Sequence, residues 1–358
     1  GSFGITEATA GIMITAYAWA VMLLSLPLMI AASRIGFKRL LIGVLGVFAL
    51  GQILSAVAPG FAVLTLARIV VASAHAIFWS IASIMASRLV DTKHGPLALS
   101  MVATGTSIAM IFGLPIGRSI GLMVGWRMTF ALVGAIALVI AGYMAAVCPK
   151  MAAGDAFSVR QLPDLLRNRV LVTMYVITVL FAAAYYTGYS YIEPFLQQVG
   201  GMAPDLITMV LTVFGFAGLL GSLAFSRFYD GHRRPFLGLT IAGVSAALLL
   251  LHAVSAGAGL VAVVADCALW GMCATAWNVA FQSEVIRAAR ADTSAVAMSI
   301  FSGLFNFGIG AGSALGGIVV THLSIGAIGY VGGAIGAVGL ILTVTVLFGL
   351  LRRPRAGA

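Results

Sequence analysis

The chain alternates between long apolar stretches and short polar loops. Eleven of the stretches are long enough to cross about 30 Å of hydrocarbon as α-helices. They lie at 9–31, 39–58, 61–87, 97–123, 127–148, 170–193, 204–226, 235–256, 258–284, 293–321 and 325–351. Since the loops are short, the pattern predicts an all-α polytopic membrane protein.

The composition agrees with a membrane protein. Charged residues make up 8% of the chain and hydrophobic residues 61%, whereas a soluble domain carries about 25% charged residues. A net charge of +10 would suggest a nucleic-acid partner for a soluble protein. Here almost all basic residues fall in alternate loops, and the opposite loops hold Arg127. This is the positive-inside pattern, so we expect no nucleic-acid partner, a lipid bilayer around the chain and a cytoplasmic C-terminus.

Two segments of the chain recur. The loop sequence at 33–39 returns at 226–234, an offset of 193 residues. A glycine stripe returns at an offset of 195 residues: Gly113, Gly117 and Gly121 correspond to Gly308, Gly312 and Gly316. Two halves in parallel orientation are typical of secondary transporters.

The repeat predicts a domain organisation. Residues 1–149 form the N-terminal half, 150–168 a cytoplasmic linker and 169–358 the C-terminal half. The counterpart of the stretch at 170–193 would precede residue 1. We therefore expect a parent fold of twelve helices, of which the chain holds helices 2–6 and 7–12.

Glycines at four-residue spacing let two membrane helices approach closely. Pro115 lies within the first stripe and removes one backbone donor. Gly113, Pro115 and Gly117 are therefore interpreted either as a structural helix seam or as a pivot of a moving transporter.

Several longer segments resemble one family. They are GIMITAYAWAVMLLSLPLM (11–29), ARIVVASAHAIFWSI (67–81), ATGTSIAMIFGLPIGR (103–118), GWRMTF (125–130), YSYIEPF (189–195) and FSGLFNFGIGAG (301–312). They look like the SotB-type bacterial sugar efflux transporters, in the drug:proton antiporter branch of the major facilitator superfamily. The loop SRIGFKR resembles the superfamily's cytoplasmic motif, with Met29 and Ser33 in place of the usual glycine and aspartate. Its matching positions are Arg34, Gly36, Lys38 and Arg39.

This resemblance implies a major facilitator fold in two pseudo-symmetric halves, located in the bacterial inner membrane. It implies a monomer that exports arabinose-like sugars and galactoside analogues by alternating access, driven by protons. It implies no cofactor and no metal. The runner-up is a multidrug:proton antiporter of the same superfamily. A membrane sensor or enzyme is a third hypothesis, against which stands the lack of a Walker loop, an HExxH segment or a soluble output domain.

In such a fold, polar and aromatic residues on the cavity-lining helices are the substrate-binding candidates, because sugar hydroxyls need paired donors and acceptors on a mostly apolar wall. The candidates are His75, Trp79, Tyr185, Tyr186, Tyr189, Trp277, Asn278, Gln282 and Asn306. For each a structural role stays open: a histidine bonded to a carbonyl, a packed tryptophan, or tyrosines that anchor the helix at the membrane interface.

Proton coupling needs a titratable group within the membrane. Eight of the ten acids, Glu284 among them, fall at or beyond the ends of the apolar stretches. Asp266 and Glu193 are left, and His75 and Arg68 are further candidates. Asp266 and Arg68 either pair with one another or find partners within their own halves. A helix preceding residue 1 is another place for the coupling acid.

Overall fold

A computed structural model describes residues 4, 6–32, 35–91, 95–150, 162–289 and 294–352. Every regular element within these ranges is helical. The helices are α1 (Glu7–Ala32), α2 (Phe37–Ala56), α3 (Phe61–Arg88), α4 (Gly95–Val124), α5 (Trp126–Val147), α6 (Leu162–Arg167), α7 (Arg169–Tyr189), α8 (Ile192–Gln198), α9 (Pro204–Phe228), α10 (Arg233–Gly257), α11 (Leu260–Ala288), α12 (Ser294–His322), α13 (Ile328–Leu342) and α14 (Phe348–Arg352). A 3₁₀ turn, Ile325–Ala327, precedes α13, and a π-helical turn, Thr343–Leu347, follows it.

The predicted all-α membrane fold is confirmed. In the described part of the chain, nine helices are long and apolar enough to cross a membrane. The two remaining predicted spans correspond to α1 and α4, which are 26 and 30 residues long. The total of eleven spans stays a prediction.

Local sequence sets several helix ends. Asn168 caps α7, since its Oδ1 accepts hydrogen bonds from the Val170 and Leu171 amides at 3.0 and 3.3 Å. Pro204 begins α9, where its missing N–H costs nothing. Gly259, between α10 and α11, has φ +84°, a conformation that favours glycine.

The chain divides into two compact units. The first comprises Gly1–Ile5 and Ala16–Ser158. In it α2 packs against α3 and α5. Gly51 permits the contact with α3, because a Cβ there would lie 2.6 Å from Val71 Cγ2.

The second unit comprises Thr6–Thr15 and Val159–Ala358. Within it α9 packs on α11, α7 on α12 and on α13, and α10 on α11 and on α13. The assignment of 150–168 as a linker stays a prediction, since residues 151–161 lie outside the described ranges.

The glycine stripe of α12 packs closely on α7. A Cβ at Gly308 would lie 2.8 Å from the Val179 carbonyl oxygen, and one at Gly316 would lie 2.8 Å from that of Thr187. The stripe of α4 is more open. At Gly117 and at Gly121 the nearest neighbour is the Thr129 side chain, at 3.8 Å in both cases, and at Gly113 there is open space. Pro115 is buried within α4.

Gly312→Ala is expected to destabilise the protein by about 1–3 kcal/mol, because the new methyl group would overlap the α7 backbone at Ala183. The matched control is Gly303→Ala on the same helix, where a Cβ meets open space and alanine favours the helix. Thermal unfolding in detergent measures both. Equal unfolding midpoints would show that α7 and α12 tolerate the extra methyl group.

Candidate functional site

A polar cluster lies within the first unit, built from α1, α2, α3 and α5. The Tyr17 hydroxyl lies 2.7 Å from His75 Nδ1, and Arg68 donates a hydrogen bond to the Gln52 side-chain oxygen at 3.2 Å. The Arg68 guanidinium also stands over the Tyr17 and Phe130 rings, at 5.0 and 5.4 Å from their centroids. Arg68 thus has hydrogen-bond and cation–π partners within the first unit.

The structure also places Trp79 next to His75. Their ring centroids are 6.2 Å apart, and Trp79 is 42% exposed. Sequence reasoning missed Tyr17 and Gln52, which hold His75 and Arg68 in place. A signal for Gln52 was present, since it is the one amide side chain in the apolar stretch at 39–58.

A second group lies in the second unit and is called the aromatic cluster here. It combines rings from α7, α9, α11 and α12: Phe181, Tyr185, Tyr186, Tyr189, Phe214, Trp270, Trp277, Phe281 and Phe305. Tyr185 stacks on Tyr189 with centroids 4.9 Å apart, and Tyr189 lies 5.5 Å from Phe214. Tyr185 is buried, whereas Tyr186 and Tyr189 are half-buried. The three predicted tyrosines therefore lie together.

Trp277 forms the inner part of the aromatic cluster. Its ring is sandwiched between Phe181 and Phe281, at centroid distances of 3.6 and 4.2 Å, and it is 0% exposed. The flat faces of the indole are thus covered by other rings. The Nε1 atoms of Trp270 and Trp277 are buried without a hydrogen-bond partner among the described residues. Buried donors are normally paired, so these two N–H groups are available to a ligand or a water.

Amide side chains flank the aromatic cluster on α11 and α12. Gln282 donates to Asn278 Oδ1 at 2.5 Å, one helical turn away. Asn306 is buried, and its amide nitrogen donates to the Ser302 carbonyl of its own helix at 2.9 Å. Asn278 and Gln282 are half-buried, and together they offer donors and acceptors beside an apolar wall.

The two candidate acids differ in their surroundings. Asp266 is buried on α11, and its Oδ2 has no hydrogen-bond partner in the described part of the chain. Glu193 is half-buried in the first turn of α8, where it lines a pocket.

The repeated loop of the second unit forms an ion-pair network with α11. Arg233 binds Glu284 through two hydrogen bonds, at 2.7 and 2.6 Å, and the Tyr229 hydroxyl donates to the same carboxylate. Burial and the hydrogen bond to Glu284 raise the pKa of Tyr229 above its ordinary value, so the phenol stays a donor. Glu284 is 1% exposed. The expectation from sequence placed Glu284 at the membrane surface. In the structure its carboxylate is buried within the protein, because Tyr229 and Arg233 cover it.

The corresponding loop of the first unit is described in part. Arg34 lies outside the described residues. Gly36 occupies the N-cap position of α2, Lys38 is half-buried and Arg39 is exposed.

The chain matches known proteins over nearly its whole length. The family model of the Major Facilitator Superfamily matches residues 1–296 and 175–358. A probable sugar efflux transporter of Mannheimia succiniciproducens is 40% identical over 353 residues, covering 99% of this chain and 88% of that protein. A probable sugar efflux transporter of Helicobacter acinonychis is 40% identical over 350 residues, covering 97% and 89%.

Two solved structures have a similar fold. The crystal structure of the human organic anion transporter MFSD10 is 15% identical, with a TM-score of 0.73, and the match covers 93% of this chain and 83% of that one. The crystal structure of a mutant of the nucleoside transporter NupG is 14% identical, with a TM-score of 0.76, and the match covers 95% and 91%. At these identities the two structures show the fold alone.

Proposed function

Since the chain belongs to the Major Facilitator Superfamily, we propose that it exports small sugars by alternating access and that proton entry drives the export. The observation that carries this proposal is the 40% identity, over nearly the whole chain, to relatives named probable sugar efflux transporters. We place it as a monomer in the bacterial inner membrane. The positive-inside pattern supports a cytoplasmic C-terminus.

The sugar-binding proposal rests on the aromatic cluster and the amide pair Asn278–Gln282. A sugar presents hydroxyl groups that both donate and accept, and it has apolar C–H faces. The hydroxyls of Tyr186 and Tyr189, which are half-buried residues, and the two amides supply both kinds of partner. The surrounding rings supply the apolar wall. In this proposal Trp277 supports the site by packing, since its ring faces are covered.

Asp266 is our candidate for proton coupling. Its buried Oδ2 has no partner within the described ranges, and such an oxygen needs a proton, a water or a ligand. A conformational change that gives or removes such a partner for Asp266 would couple proton binding to transport. Asp266 lies one helical turn from Trp270 in the aromatic cluster, so both events would involve the same face of α11.

The experiment for this proposal is transport by the purified protein in proteoliposomes. Labelled arabinose or a thiogalactoside should enter vesicles with an acidic lumen faster than vesicles without a pH gradient, and a protonophore should remove the difference. Uptake that does not respond to the gradient would reject proton coupling. No uptake above that of empty vesicles, with or without a gradient, would reject sugar transport.

A multidrug:proton antiporter is the second candidate. Aromatic rings near a buried carboxylate also suit lipophilic cations, through cation–π attraction. Efflux of a cationic dye that drugs inhibit and that sugars do not inhibit would favour this alternative.

Tyr189→Phe is expected to weaken sugar binding about fivefold, because one hydrogen bond is worth about 1 kcal/mol. Its unfolding midpoint should stay unchanged. Tyr175→Phe, on the same helix, is the matched control, since the Tyr175 hydroxyl donates to the Ala297 carbonyl at 3.1 Å. That variant should lose stability and keep its affinity. Titration calorimetry and thermal unfolding measure the two quantities, and unchanged affinity in Tyr189→Phe would assign this tyrosine to packing.

A further inference from the structure

A pocket of about 320 Å³ lies within the second unit, at the end of α7 opposite to Asn168. It is lined by the first turns of α1 and by the segment that joins α7 to α8: Ala10, Gly11, Met13, Ile14, Ser190, Tyr191, Glu193, Pro194 and Gln197. Its volume falls at the lower end of the range of about 300–1,000 Å³ that is typical of small-molecule sites. The charge pattern assigns this end of α7 to the outer side of the membrane.

Hydrogen bonds to α12 hold the walls of the pocket in place. Ser313 Oγ donates to the Gly11 carbonyl at 3.1 Å, and Thr15 Oγ1 donates to the Gly310 carbonyl at 3.1 Å. The Tyr191 hydroxyl donates to the Ser313 carbonyl at 2.9 Å. A Cβ at position 11 would overlap that hydroxyl, so glycine is required for the close approach of α1.

The polar groups in the pocket suit a neutral polyhydroxy ligand. Ser190 Oγ is buried and has no hydrogen-bond partner among the described residues, although buried hydroxyls are normally paired. Glu193 adds an acceptor, and Gln197 adds both a donor and an acceptor. Met13, Ile14 and Pro194 form an apolar wall against which C–H groups can pack.

We propose that this pocket is a second, outer sugar-binding site, which holds a sugar through Ser190, Glu193 and Gln197. The inference rests on the proposed export of sugars. It adds a site separate from the aromatic cluster, since none of the cluster's residues lines the pocket.

Cysteine protection tests the outer site. The native cysteines, Cys148, Cys267 and Cys273, are buried, so a cysteine introduced at exposed Gln197 should be the one that a maleimide modifies. Sugar at ten times its dissociation constant should slow the modification of Gln197→Cys about tenfold, because about nine-tenths of the sites are then occupied. Gln198→Cys is the matched control. Gln198 is also exposed but does not line the pocket, so its modification rate should not change.

Two further substitutions, each added to the Gln197→Cys variant, distinguish binding at the outer site from binding at the aromatic cluster. Glu193→Gln should weaken the outer site about tenfold, through the loss of a charge-assisted hydrogen bond, and reduce the protection of Gln197→Cys to about twofold. Asn278→Ala should leave that protection intact. If Asn278→Ala removes the protection, or if both introduced cysteines are protected equally, the effect comes from a conformational change and the outer site is refuted.

Calorimetric measurement of sugar binding by the same variants distinguishes the outer-site proposal from the proposal of sugar export. Sugar binding without protection of Gln197→Cys would overturn the outer site and leave the export proposal standing. The absence of any sugar binding would reject both. Protection by a lipophilic amine and not by sugar would overturn the outer sugar site and favour the multidrug alternative.

Discussion

Arg233→Ala is expected to lower the free energy of unfolding by about 3 kcal/mol, among the largest effects of a single substitution in this chain. The substitution leaves the Glu284 carboxylate, whose side chain is 2% exposed, with the Tyr229 hydroxyl as its one remaining side-chain partner among the described residues. An uncompensated buried charge typically costs about 3–5 kcal/mol. We expect a loss at the lower end of this range, because the Arg233 side chain is 39% exposed. Water can therefore replace part of the interaction that Glu284 loses. Thermal unfolding in detergent measures the loss.

The neighbouring ion pair supplies a matched control. Arg287 binds Asp230 at 2.6 Å, but the two side chains are 43% and 82% exposed. Arg287→Ala should therefore cost no more than about 1 kcal/mol. The double replacement Arg233→Met with Glu284→Leu should recover most of the loss, because it removes both charges together. Equal losses in Arg233→Ala and Arg287→Ala would show that burial of Glu284 contributes nothing to stability.

The sequence predicted the repeated loop at 226–234 but not the ion pair that it forms. Counting along the apolar stretch at 258–284 places Glu284 at its last position, whereas α11 continues for one more turn, to Ala288. The burial of Glu284 depends on its contacts with Tyr229 and Arg233. Arg233 lies 51 positions from Glu284 along the chain, and Tyr229 lies 55 positions from it. Hydropathy along one helix carries no information about such a contact.

Apolar stretches predict the positions of the helices well, but they do not predict where one stretch breaks into two helices. The stretch at 127–148 corresponds closely to Trp126–Val147, and that at 204–226 to Pro204–Phe228. The stretch at 170–193 ends differently, since α7 stops at Tyr189 and α8 begins at Ile192. Hydropathy averaged along the chain does not register this break, since 169–198 counts as a single apolar span of 30 residues. The few polar residues at the break are outweighed by the apolar residues of α7.

Residue spacing predicted part of the candidate site. A spacing of four and seven residues puts Asp266, Trp270 and Trp277 on one stripe of a helix, and all three are buried on α11. The sandwich of Trp277 between Phe181 and Phe281 was not predictable, because it depends on how closely α7 approaches α11. Tyr17 was missed for a related reason, since its contact with His75 joins two helices that are not adjacent in the chain.

Asp266→Asn is expected to abolish gradient-driven sugar uptake in proteoliposomes, down to the level of empty vesicles. Asparagine keeps the shape of the side chain but cannot bind and release a proton. Asp266 Oδ2 is buried and has no hydrogen-bond partner in the part of the chain that the structure describes, so this carboxyl group is suited to exchange a proton as its surroundings change. Sugar binding should survive, because the tyrosines and amides that we assign to the sugar are unaltered.

Counterflow separates loss of coupling from loss of folding. Exchange of labelled sugar for unlabelled sugar needs no net proton movement, so Asp266→Asn should retain it while losing gradient-driven uptake. Asp266→Glu should keep part of the coupling, since it preserves the carboxylate. Asp205→Asn, at an exposed acid in the first turn of α9, is the control and should behave like the wild type. Gradient-driven uptake that persists in Asp266→Asn would exclude Asp266 as the coupling acid and make Glu193→Gln the next variant to measure, because Glu193 is the other acidic candidate for proton coupling predicted from the sequence.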